Sequence, residues 1–164
     1  MSRIRKDIHI PIATNMCVVD FDSLPVGIRE NACDIILADA HKWGGIWTTK
    51  KLAAVCEAFH LGMSMHAGAE LGVSTAVNIQ LAASTPQINY SIDGHYHHEL
   101  DDIIKGGKHK YINSKMRVPD APGIGVELDE EKVAFYHERW KNLKFEALNG
   151  ERPDTERHLS KCQF

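Results

Sequence analysis

The chain has 164 residues, 43% of them apolar and 25% charged, with 19 Lys and Arg against 22 Asp and Glu. That composition builds one core, excludes a disordered or fibrous chain, and carries no basic footprint for nucleic acid or an anionic membrane surface. The longest apolar runs, such as Ile35-Ile36-Leu37-Ala38, fall far short of the ~20 residues of a membrane helix, and MSRIRKD leads into no signal-type apolar segment. A cytoplasmic protein is expected. Cys17, Cys33, Cys56 and Cys162 are unevenly spaced and form no CxxC pair, so reduced thiols are the default.

In chain order, residues 8–19 (IHIPIATNMCVV) and 34–38 (DIILA) are short β-branched apolar runs of the kind that form buried strands. The segment 22–31, with Pro25 in its first turn, predicts a short helix between them. The spacing of Leu52, Val55, Cys56 and Phe59 predicts a helix over 47–60. Strands follow at 61–65 (LGMSM) and 88–92 (INYSI), separated by a helix over 71–83 rich in small residues. Strand, helix and strand in alternation make a parallel sheet with helical crossovers. Beyond residue 98 the chain turns polar and Gly-containing, with a short strand predicted at 125–128 and a helix opened by Asp129, whose first turn holds Glu130 and Glu131. The expected division is 1–98, four βα units; 99–146, a C-terminal capping segment with strand and helix; and 147–164, a polar tail.

Each strand ends on a polar residue that a buried strand does not need: Asn15, Asp39, His66 and Asp93, separated by 24, 27 and 27 residues. One such residue alone is a turn former or a helix cap. Four at the period of a βα unit place their side chains on one rim. The histidines His95, His97 and His98 with Glu99 also invite a transition-metal reading, which the opposite facing of adjacent strand residues weakens.

The segments IATNM, ILADAHKWGG, MSMHAGAELG, SIDGHYHH and PDAPGIGVELDEEKV, in this order and spacing, resemble the C-terminal half of enolase-superfamily enzymes of the mandelate racemase and glucarate dehydratase branch, from about Ile8 to Trp140. The resemblance implies an α/β fold: the C-terminal half of a TIM-like (β/α) barrel. It implies a reaction that starts by removing the proton α to a carboxylate, with Mg²⁺ stabilising the enediolate. By resemblance Asn15 matches a metal ligand, Asp39 and His66 an Asp-His dyad with His66 as acid or base, Asp93 an acidic group facing the substrate carboxylate, and His95 a substrate contact. The substrate class is a small acid sugar or hydroxy-carboxylate, processed by a dehydratase or alternatively by a racemase; Asp39 with His66 argues against cycloisomerisation, whose branch places Lys at that strand end.

Two departures shape the expectation. Ala67-Gly68-Ala69 stand where glucarate dehydratases carry polar substrate contacts, which speaks against glucarate itself. A full barrel takes about 250 residues, and the sequence offers about four βα units and one of three expected metal ligands. The chain on its own is therefore expected to hold Mg²⁺ weakly or not at all, to lack turnover, and to associate as a homo-oligomer through its open sheet edges; a non-catalytic half barrel is the competing reading.

Overall fold

The computed structural model describes residues 1–68 and 70–142. The chain forms two compact units, Met1–Ala67 with Val77–Gly94 and Gly68–Ala76 with the chain from His95 onward. The expected tail, 147–164, lies outside the described residues. No described helix is long and apolar enough to cross a membrane.

The first unit is built on four parallel strands in sequential order: β1 (Ala13–Thr14), β2 (Ile35–Ala38), β3 (Gly62–Ala67) and β4 (Asp93–Gly94). Between them run α2 (Leu24–Arg29), α3 (Ile46–Ala58) and α4 (Gly72–Ser84), after an N-terminal α1 (Ser2–Asp7) that periodicity did not signal. One face of the sheet (Ile36, Ala38, Met63, Met65) packs with Leu52, Ala53 and Cys56 of α3 and Leu81 of α4 into the core. By alternation the opposite face carries Ile35, Leu37, Asp39, Ser64 and His66. Phe59, counted on the apolar stripe of α3, instead follows the helix end and is 56% exposed.

The strands are shorter than the apolar runs that announce them, for identifiable reasons. Ahead of β1, Pro11 has no N–H to donate, and the Ile12 N–H bonds to the Asp34 carboxylate (2.8 Å) instead of a ladder partner. Asp34 is held there by Arg5 of α1. The run 88–92 is interrupted because β4 carries two more residues than β3 between matching rungs: Met63 pairs with Ile88, but His66 pairs with Asp93. This bulge is closed by the Ser64 hydroxyl, which donates to the Ser91 carbonyl (2.7 Å). It also brings Tyr90 over β3, where only glycine fits: a Cβ on Gly62 would lie 2.6 Å from the Tyr90 ring and 2.9 Å from Ile35.

In the second unit Asp102 is fully buried and accepts hydrogen bonds from the backbone N–H groups of Gly72 (3.1 Å) and Ile103 (2.7 Å) and from the Tyr96 hydroxyl. Three donors compensate the burial of one carboxylate. The strand expected at 125–128 is a single antiparallel bridge, Ile104 to Leu128, because the partner chain turns away at Gly106 and Gly107, both at positive φ. Helix α5 (Glu130–Asn142) begins as expected, with the Asp129 carboxylate capping the Lys132 N–H (3.1 Å).

Asp101 joins α5 to the preceding loop by accepting from Lys132 Nζ (2.5 Å) and the Tyr136 hydroxyl (2.8 Å), and Lys132 draws its carboxyl down to about 2. A folded pKa below the unfolded value of about 3.9 stabilises above that value and is lost as pH falls toward 2. Between about pH 4 and 2, urea midpoints should therefore fall less steeply for Asp101→Asn than for the wild type, by a modest margin because the pair is solvent-screened.

Candidate active site

The parallel order puts the ends of β1 to β4 on one rim, and the residues there can be placed one by one. Asn15 follows β1 and is half-buried; Asp39 follows β2 and its side chain is 2% exposed; His66 is the penultimate residue of β3; Asp93 opens β4 and is exposed. The register of β2 and β3 pairs Ala38 with Met65, so one step further Asp39 stands beside His66, and the next rung pairs His66 with Asp93. Three of the four residues thus lie side by side on the face away from the helices.

His66 Nδ1 lies 2.7 Å from Asp39 Oδ1, and against an ionised carboxylate, which only accepts, the ring nitrogen is the donor. With Nδ1 engaged by the carboxylate, Nε2 is the ring nitrogen not committed to Asp39. The second Asp39 oxygen lies 2.8 Å from Lys42 Nζ, whose side chain is 35% exposed. That separation makes an ion pair, although Oδ2 receives no directed hydrogen bond. Lys42 Nζ also reaches the Asn15 carbonyl, at 3.5 Å.

The turn after β2 produces this arrangement. Trp43 N–H bonds back to the Asp39 carbonyl (3.0 Å), which curls the chain so that residue 42 returns over residue 39. Trp43 is buried and meets the Phe21 ring edge-on at 5.4 Å, anchoring the turn. Gly45, at φ +96°, then opens α3. The Gly44-Gly45 pair, both at positive φ, is thus turn chemistry. Lys42 was not singled out by sequence pattern; the available signal was its i,i+3 spacing from Asp39.

His95 belongs to the second unit. Its position two residues past Asp93 predicts the same strand face only in an extended chain, and the chain is not extended there: β4 ends at Gly94, and His95 (φ −97°, ψ 10°) caps a 3₁₀ turn, Tyr96–His98. Among the described residues, His95, His97 and His98 do not gather three metal-donor atoms.

The donor set available to Mg²⁺ within the first unit is equally plain. Of the metal ligands that the resemblance implies, the first unit carries the Asn15 amide, and the Lys42 ammonium lies against the Asn15 backbone carbonyl at 3.5 Å. Mg²⁺ demands near-octahedral oxygen coordination. These residues alone do not fit it.

Comparison with known proteins shows the family and the fold. The family described as "Enolase C-terminal domain-like" matches residues 1–132, and the chain belongs to that family. It is 39% identical over 140 residues to a probable glucarate dehydratase of Streptomyces coelicolor, covering 85% of this chain and 32% of that protein. Among solved structures it resembles an enolase from Gibberella zeae complexed with magnesium, formate and sulfate (TM-score 0.82, 38% identity, 87% of this chain and 34% of that one). A second, an enolase from Mycobacterium smegmatis complexed with tartrate, gives a TM-score of 0.84 at 36% identity over 97% of this chain and 37% of that one. The chain spans about a third of the length of the relatives it matches. The four-stranded sheet is accordingly half of a (β/α) barrel.

If the Asp39 carboxylate is what keeps His66 and Lys42 in place, Asp39→Ala should lower the stability of the first unit by about 1–3 kcal/mol. Urea unfolding followed by circular dichroism checks this; an unchanged midpoint contradicts it.

Proposed function

We propose that this chain carries the proton-transfer end of an acid-sugar dehydratase of the glucarate dehydratase kind. The observation that carries the reading is the 2.7 Å hydrogen bond from His66 to a buried Asp39 carboxylate at the rim of a parallel half barrel. A proton α to a carboxylate is weakly acidic, and a base placed against it must gain stability as it becomes positive. His66 meets that need: Nε2 takes the proton, the ring becomes imidazolium, and Asp39 balances the new charge across Nδ1.

Asp93, on the neighbouring rung, is read as the group that meets the substrate carboxylate and, when protonated, donates to the oxygen on which negative charge develops. His95 is read as a substrate contact, and Asn15 as this chain's single contribution to a magnesium donor set. The substrate class is a small acid sugar or hydroxy-carboxylate, a reading supported by the tartrate held by the Mycobacterium smegmatis relative. A cytoplasmic setting, expected from the unevenly spaced cysteines of the sequence, belongs to this reading.

The reading is tested by a chimera in which this chain's residues replace the matching stretch of the Streptomyces coelicolor relative. The expected result is dehydration of an acid sugar, lowered roughly 10²- to 10⁴-fold by His66→Asn. A folded chimera indifferent to His66→Asn contradicts it. The 164-residue chain alone, with one neutral metal donor, is expected to show no turnover under the same assay.

We also propose that the chain pairs with a second copy. Strands β1 and β4 are the sheet edges, and Ile10 and Met16, flanking β1, are 72% and 76% exposed. Sedimentation of the 18.4 kDa chain should give twice that mass; a stable monomer contradicts association.

A further inference from the structure

We infer that Lys42 is a positioning residue for the Asp39–His66 pair, the positive charge that sits against one oxygen of the buried carboxylate and holds its Oδ1 turned to the imidazole. The inference rests on reading that pair as the proton-transfer dyad, and it adds a third member that acts only through Asp39.

The two oxygens of Asp39 have different environments. Oδ1 accepts from His66 Nδ1 at 2.7 Å. Oδ2 is buried, receives no directed hydrogen bond, and lies 2.8 Å from Lys42 Nζ. A carboxylate that is 98% removed from solvent needs either a proton or a counter-charge. A neutral His66 supplies a hydrogen-bond donor but no charge. Lys42 supplies a charge that does not depend on the state of the ring. Because the contact lacks hydrogen-bond direction, charge is what it contributes.

The geometry also restrains the plane of the carboxylate. An Asp χ2 torsion is broad and two-fold, so one hydrogen bond leaves the group free to rock. With Nζ on one oxygen and the imidazole on the other, rocking weakens both contacts. Lys42 is itself delivered by the anchored turn: Trp43 is buried, and the Trp43 N–H to Asp39 carbonyl bond sets the two side chains on the same side. Its reach to the Asn15 carbonyl (3.5 Å) gives the ammonium a second restraint at the end of β1.

The test uses the 164-residue protein and needs no turnover. The hydrogen-bonded Nδ1–H of His66 should give a far-downfield proton resonance, assigned by its absence in His66→Gln. Lys42→Met should abolish or broaden that resonance, while Lys42→Arg, which keeps the charge, should retain it; far-UV circular dichroism serves as the control for folding. If Lys42→Met does not fold, Lys42→Gln replaces it with a polar side chain of similar reach. A resonance unchanged on removing the charge overturns the inference, as does equal loss in the Arg and neutral variants, which would make the effect one of shape. Loss in the neutral variant alone, alongside a folded chimera without turnover, would retire the dehydratase reading and leave the positioning role standing.

Discussion

A single buried carboxylate organises the rim of this half barrel. Asp39 lies one residue past the last rung of β2, where the sheet no longer supplies backbone partners, and it is withdrawn from solvent on the face away from the helices. Burying a lone anion is prohibitive, so the site must bring compensating groups to it. It does so from two directions: an imidazole from the neighbouring strand and an ammonium from the turn that follows. The register of β2 and β3 sets His66 beside that charge, and the curl of residues 39–43, anchored by buried Trp43, brings Lys42 to it.

The same device recurs in the second unit. Asp102 is also fully buried, and there the compensation is three hydrogen-bond donors rather than a cation. A carboxylate satisfied on every side by backbone and phenol is a fastener. Asp39 instead keeps one oxygen on an ionisable ring, the arrangement that the proposed proton transfer requires. The contrast between Asp39 and Asp102 separates the two roles more clearly than burial does, since both are buried to the same degree.

Much of this arrangement was legible in the sequence, and the reasons are physical. The 27-residue spacing from Asp39 to His66 to Asp93 works because a βα unit returns each strand in parallel to the same rim, so equal spacing becomes adjacent rungs. Helices α3 and α4 were legible because their apolar periodicity matches the face they bury, whereas α1 buries no residue and left no such pattern. The strand lengths were not, because an apolar run records burial and not ladder pairing: Pro11 and the Asp34 side chain cut short β1, and a two-residue bulge cuts short β4. Lys42 was missed because a lysine three residues past a strand looks like any solvated loop residue. Only the curl sealed by Trp43 turns it back on Asp39. The expectation that His95 shares the face of Asp93 assumed an extended chain where a 3₁₀ turn begins.

The central claim is that Asp39 holds Nδ1 of His66 so that Nε2 is the working nitrogen. It is tested most directly by ¹⁵N NMR of the ring in the ¹⁵N-labelled protein at a pH where His66 is neutral. The account predicts a protonated Nδ1 and an unprotonated Nε2. A ring protonated on Nε2, with a bare Nδ1 against the carboxylate, would contradict it.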